Sequence, residues 1–310
     1  MVSVNKNAAR IANRMIEEEE QLNINSFSLD NQAKVIDAGI ETIGGYRAGK
    51  YFSEICLGDL GNVQFTMDKR PKVQVSVDHA VVSCMGSQYA GWSIKVGDYS
   101  AMGAGPARAL SRVEDLFEEI GYEDESDVAV LTLESGEMPD EEVADYIAEK
   151  CGVDTENLYL IVAPTASIVG SVQVSSRVVE TGIHKLHTLG FDINAVKSGC
   201  GSAPIAPVAG NDLEAMGKTN DCTLYGGRTI YFVETDDSEI EEVIEEVPSS
   251  ASEDYGSPFL EIFERYDRDF FKIDRKLFSP AEITINNMKT GSVFHAGSVD
   301  EEVLKTSLEI

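Results

Sequence analysis

Apolar positions recur along this chain with two periods, about 3.6 residues and 2 residues. Ala8, Ile11, Ala12, Met15 and Ile16 fall at helical spacing among charges, which predicts an amphipathic surface helix ahead of the acidic run Glu17 to Glu20. Ala33 to Ala38 is a short apolar strand, and the Gly44-Gly45 turn then opens a helix with Ala48, Phe52, Ile55 and Cys56 on its inner face. Val63 to Met67 and Val73 to Val77 alternate apolar with polar, as strands with one buried face do. Val128 to Leu133 and Leu158 to Ala163 are unbroken apolar runs, the pattern of strands covered on both sides. Between them Pro139 opens a helix whose buried side is spaced by Val143, Tyr146 and Ile147, and Gly152 ends it. Further on, the pattern predicts a helix over Ser238 to Glu246, a loop over Ser249 to Gly256 and an aromatic helix bearing Phe259, Phe263 and Tyr266. Glu282 to Ile285 and Ser292 to His295 close the chain as a strand pair. Helices alternating with such strands indicate an α/β fold.

The chain also echoes itself at a spacing near 100 residues. Gly91 to Ile94 (GWSI) is followed by Gly190 to Ile193 (GFDI), and Met102 to Pro106 (MGAGP) by Cys200 to Pro204 (CGSAP). Val130 to Glu134 corresponds to Ile230 to Glu234, and Glu141-Glu142-Val143 to Glu241-Glu242-Val243. Four echoes in one order predict two similar α/β units, an internal duplication, packed side by side with a cleft between them for a ligand. The division falls near 165, giving a first unit over 1–165 with the N-terminal helix and a second over 166–310 with the C-terminal closing segment. The boundary is approximate, and interleaving of the units is compatible with it.

Ser167 to Leu189 contains no proline and stops at Gly190, which permits one long helix after the turn at Pro164-Thr165. With Val172 as reference, Ser176, Val179, Ile183 and Leu186 lie within about 40° of it, and Val174, Val178, Gly182 and Leu189 widen the apolar arc. Gln173, Arg177, Glu180 and His184 form instead a narrow polar stripe, spaced four, three and four residues apart. Two readings stay open for such a row. It could face water, with Arg177 and Glu180 as a weak surface pair, or it could line a cleft with an amide, a guanidinium, a carboxylate and an imidazole.

The other candidate stretch runs from Ile94 to Ala109, where a strand leads through a Gly-rich turn, Gly103-Ala104-Gly105-Pro106, into a helix. Backbone N–H groups at that start could receive an anion, although close packing is the commoner reason for such glycines. It is neither a Walker loop nor a GxGxxG fingerprint. Lys95 stands out because it sits among apolar neighbours beside the turn, although a snorkelling lysine is the commoner explanation. His79, His184 and His187 are at least as well explained as structural histidines.

Composition narrows the function class. With 25 Lys and Arg against 54 Asp and Glu the net charge is −29, and such a surface repels nucleic acid. The most apolar stretch, Leu158 to Val172, is interrupted by Pro164, Thr165, Ser167 and Ser171, so no membrane span is expected. The N-terminus lacks the pattern of a signal peptide, and a cytoplasmic protein is expected. Cys56, Cys84, Cys151, Cys200 and Cys222 are widely spaced and never form a CxxC pair, so no disulfide framework or zinc site is encoded locally. A metal-free mechanism is expected.

Several segments together resemble the methenyltetrahydromethanopterin cyclohydrolase family. They are Ala163 to Ser167 (APTAS), Arg177 to Glu180 (RVVE) leading to Gly182 to Lys185 (GIHK), and Ala90 to Leu110 (AGWSIKVGDYSAMGAGPARAL). Ala203 to Val208 (APIAPV), Ala215 to Asp221 (AMGKTND) and Tyr225 to Val233 (YGGRTIYFV) continue the likeness, which spans nearly the whole chain in order. One departure is the short connection Thr66 to Arg70, where the family is expected to carry a longer loop. The resemblance implies reversible hydrolysis of the methenyl bridge of a methanopterin one-carbon carrier to the N5-formyl form, with no metal and no bound cofactor. It also implies a homotrimer with a pterin substrate as the small-molecule partner, as in methanogenesis or C1 oxidation in archaea. Carried over by motif, Arg177 and Glu180 are the catalytic arginine and glutamate and Lys95 a further catalytic residue. Gln173, His184, Gly103 and Gly105 are substrate-binding candidates. The alternatives are a non-catalytic binder of an anionic pterin or phosphate metabolite, and a phosphoryl-transfer enzyme, for which no loop here has the spacing.

Overall fold

A computed structural model of the chain describes residues 2–269 and 272–309. Its strands are β1 (Asn25–Ser28), β2 (Lys34–Asp37), β3 (Gly61–Met67), β4 (Pro71–Val77), β5 (Trp92–Val96), β6 (Tyr99–Ala104), β7 (Ala129–Glu134), β8 (Leu158–Ala163), β9 (Val196–Pro204), β10 (Arg228–Val233), β11 (Glu282–Asn287) and β12 (Val293–Gly297). Its helices are α1 (Val4–Glu17), α2 (Glu19–Leu22), α3 (Tyr46–Cys56), α4 (Arg108–Ser111), α5 (Leu116–Ile120), α6 (Glu141–Cys151), α7 (Ile168–Ser175), α8 (Val178–Thr188), α9 (Asp212–Leu224), α10 (Asp237–Glu241), α11 (Phe259–Arg265) and α12 (Glu301–Leu308). The fold is mixed α/β with two six-stranded mixed sheets. The compact units are 1–62 with 82–173, and 63–81 with 174–310. The chain therefore passes between the units three times, an interleaving that the approximate division near 165 had left open.

In the first unit the sheet order is β1-β2-β8-β7-β6-β5, with β2, β8 and β7 parallel and the outer pairs antiparallel. Ala8, Met15, Phe52 and Ile55 of α1 and α3 pack on one face against Ile36, Val130 and Ile161. Val143 and Ile147 of α6 pack on the other against Leu131, Leu133 and Leu160. Covering on both faces is why β7 and β8 are apolar without alternation. Helix α6 begins where the proline predicts: Asp140 caps it by accepting from the Val143 amide at 3.0 Å, and Gly152 ends it at φ +68°.

In the second unit the order is β12-β11-β10-β9-β4-β3, with β10 and β11 parallel. Its antiparallel pair β9–β10 followed by parallel β11 repeats the arrangement of β6–β7 followed by β8. The duplication is thus visible in topology, but not at the level of the individual echoes. Met102 faces Glu134 across the first ladder, whereas Cys200 faces Ile230 across the second, so the two registers differ by four residues. Trp92 to Ile94 of GWSI lie on β5 while the end of GFDI lies in a 3-10 turn. A second cluster, Cys222, Tyr225, Phe259, Phe263 and Leu304, joins α9, α11 and α12.

Two helices expected as single pieces are divided. Ser238 to Glu246 is α10 followed by a 3-10 turn at Ile244–Glu246. Ser167 to Leu189 is α7 and α8 with a break at Ser176-Arg177, where the Arg177 amide bonds Val174 O at 3.1 Å, three residues back instead of four. Consecutive serines, whose hydroxyls compete for nearby backbone groups, weaken a helix at that point. The uninterrupted stripe of the sequence reading is therefore two pieces. Gln173 belongs to α7, and Arg177, Glu180 and His184 belong to α8.

Candidate active site

In the second unit, α8 lies close against the sheet at three glycines. A Cβ on Gly182 would stand 2.1 Å from the Tyr231 hydroxyl. Cβ atoms on Gly199 and Gly201 would stand 3.1 Å from side-chain carbons of Val179 and Val178 respectively. Tyr231 Oη donates to Val179 O at 2.8 Å. The seat fixes the roll of the helix, and with it the direction of Arg177 and Glu180, which adjoin on its surface because they are three residues apart. Glu180 is 5% exposed and lies in the first turn of α8, where the helix dipole favours a carboxylate. Arg177 is the half-buried N-cap residue, and its carbonyl accepts from both the amide and the hydroxyl of Thr181 at 2.8 and 2.9 Å.

His184 follows one turn later. Burial, with the neighbouring His187, Arg275 and Lys185 adding, holds its pKa down to about 4, so the imidazole is neutral near pH 7. Lys185, 1% exposed, points away from this row and donates to Lys276 O at 2.7 Å; burial lowers its pKa to about 8.

In the first unit, Glu134 at the carboxyl end of β7 gathers two side chains. Its Oε1 accepts from Thr165 Oγ1 at 2.6 Å and its Oε2 from Gln173 Nε2 at 2.8 Å. Gln173 is thereby turned so that its amide carbonyl points away from the carboxylate. Carboxyl ends of parallel strands are where α/β sheets place ligands, and a lone carboxylate closing an apolar run was the signal in the sequence. Lys95 is on edge strand β5, exposed, and not enclosed by the apolar neighbours its sequence suggested. In the ladders Glu134 faces Met102 and Met102 faces Ser93, so Lys95, two residues further along β5, shares the sheet face of Glu134. Two strand spacings and two residue rises put it about 12 Å away along the sheet.

Of the two readings of the Gly-rich turn, the backbone geometry favours close packing. The amides of Gly105, Ala107, Arg108 and Ala109 bond the carbonyls of Ser87, Val130, Gly105 and Pro106. They are committed to the turn and are not presented to an anion. Gly105 adopts φ +103°, and a Cβ on Gly103 would meet the Trp92 carbonyl oxygen at 3.1 Å. Both glycines thus answer backbone requirements.

A profile of the family described as Cyclohydrolase (MCH) matches residues 3–308. The chain belongs to this family. It is 51% identical over 318 residues to the methenyltetrahydromethanopterin cyclohydrolase of Methanocaldococcus jannaschii, covering 99% of this chain and 98% of the relative. It is 50% identical to that of Methanothermobacter thermautotrophicus, covering 99% of each. The relative from Methanococcoides burtonii is 48% identical, with 100% of this chain and 99% of that one covered.

Among the described residues of this cyclohydrolase-family chain, no group of three or more His, Cys, Asp or Glu is arranged to hold a metal ion. None of its described helices is long and apolar enough to cross a membrane. The sequence reading singled out Arg177, Glu180, His184, Gln173 and Lys95 as candidates; Glu134 and Thr165, which the structure joins to Gln173, were not among them.

Proposed function

We propose that the chain catalyses the reversible hydrolysis of N5,N10-methenyltetrahydromethanopterin to the N5-formyl derivative, with Glu180 as general base and Arg177 as its companion. The observation that carries this reading is family membership over 3–308 together with a 5% exposed carboxylate one turn from an arginine on α8. The bridging carbon of the substrate lies in a delocalised amidinium cation and is already electrophilic, so an aimed water suffices. Glu180 accepts a proton from that water as oxygen bonds to carbon. It returns the proton to N10 as the C–N10 bond breaks, and the second water proton leaves to solvent with the formyl group on N5. Arg177, one turn away on α8, is the cation placed to orient that carboxylate. Glu134 fixes Gln173 as a hydrogen-bonding wall, and Lys95 and His184 are further contacts. The reading includes a homotrimer working in the cytoplasm without metal or bound cofactor.

The test is to follow loss of the near-ultraviolet chromophore of the methenyl carrier. Glu180→Gln keeps the shape and removes the proton acceptor, so kcat should fall at least 100-fold, in the range ~10²–10⁴ typical of general-base catalysis. Near-normal turnover in that variant would refute the role. A change confined to KM in Arg177→Ala would make Arg177 a binding residue.

A further inference from the structure

The second unit carries a polar pocket of about 200 Å³ at the β3–β4 hairpin, the shortened connection noted in the sequence. Lys69, Arg70, Lys72 and Arg228 line it with the hydroxyl-bearing Ser202, against only two carboxylates, Asp68 and Glu301. In a chain with 25 cations and 54 acids, four cations around one pocket invert the overall balance.

The sheet assembles the group. Ser202 and Arg228 are cross-strand partners in β9 and β10, and Lys72 enters from β4 opposite Pro204. Gly199 and Gly201 lie against α8, so Ser202, the next residue along the strand, projects from the other face. The pocket is thus separated from Arg177 and Glu180 by the thickness of the sheet.

Its donors are only partly used. Arg70 is 9% exposed; Nη2 donates to Glu301 Oε2 at 2.8 Å, while the buried Nη1 has no hydrogen-bond partner. Lys69 forms no ion pair among the described residues, and Lys72 stands a loose 3.6 Å from Asp68 Oδ2. Arg228 meets Glu282 through Nε at 3.2 Å, which leaves its terminal nitrogens to another acceptor. Two positive charges beyond the lining carboxylates, two guanidinium forks and a hydroxyl match a compact dianion with several oxygens better than a single carboxylate.

We propose that this pocket binds a phosphate-type oxyanion, either free phosphate or the phosphomonoester group of a metabolite. Calorimetric titration of the full chain with inorganic phosphate, in a zwitterionic buffer at constant ionic strength, should show saturable binding of one ion per chain that weakens as KCl is raised. The exposed changes Lys69→Gln and Arg228→Gln, combined so that buried Arg70 is left untouched, should weaken it at least tenfold with an unchanged circular dichroism spectrum. Glycerol 3-phosphate separates the sources: binding as tight as phosphate or tighter identifies a phosphomonoester site, and binding of inorganic phosphate alone identifies the free ion. Absence of saturable binding overturns the proposal. So does affinity that survives the double variant but is lost in Arg177→Ala.

Discussion

Tyr231 donates a 2.8 Å hydrogen bond to the carbonyl of Val179, the residue just before Glu180. A buried strand hydroxyl thereby holds the backbone that carries the candidate general base, and Gly182 supplies the space in which the phenol sits.

Replacing Gly182 by alanine should cost roughly 1–3 kcal/mol, because the new methyl group and the hydroxyl cannot occupy the same space. Tyr231→Phe should cost about 1–2 kcal/mol through the lost bond to a buried carbonyl. The two changes share one clash, so the double variant should be more stable than the sum of the singles predicts. Urea denaturation of the four proteins measures this coupling.

Glu134→Gln should leave Thr165 or Gln173 facing an amide N–H instead of a carboxylate oxygen. The loss of a charge-assisted hydrogen bond is worth about 1.5–3 kcal/mol locally. We expect kcat for the methenyl substrate to fall at least tenfold while the secondary structure by circular dichroism is retained. An unchanged kcat would show that Gln173 needs no anchoring.

Asp221 makes stability depend on pH. Burial raises its pKa from 3.8 to about 7, against the lowering effect of hydrogen bonds from Ser307 and the Phe259 amide, with Glu261 adding to the rise. Between pH 4 and 7 the folded chain keeps a proton that the unfolded chain releases, so this group lowers stability as pH rises through that window. Asp221→Asn should therefore gain on the wild type from pH 4 to pH 7.5, read as a growing difference in Tm.

His184 acts with the opposite sign. Its pKa of about 4 when folded, against ~6.5 unfolded, means that the unfolded chain binds the extra proton between these values, and stability from this group is lost as pH falls through them. By NMR the His184 imidazole should not titrate between pH 5.5 and 8. A midpoint near 6.5 would remove it from the buried, cation-flanked position found here.

Local order was written in the sequence where one covalent neighbourhood sufficed. The unbroken apolar runs of β7 and β8, the Asp140 cap and Gly152 stop of α6, and the inner face of α3 follow from periodicity and from backbone rules. So does the adjacency of Arg177 and Glu180, which needs only one turn of helix. The tertiary structure decided what depends on residues far apart in the chain. It set the register of the two central ladders, four residues apart despite similar sequences, because side-chain packing and not local identity fixes which residues face each other. It divided the predicted long helix at Ser176-Arg177 and so gave Gln173 to Glu134, which lies 39 residues earlier. It also made the glycines at 199, 201 and 182 the seat of α8, since only the facing strand and helix reveal how little room a methyl group would have there.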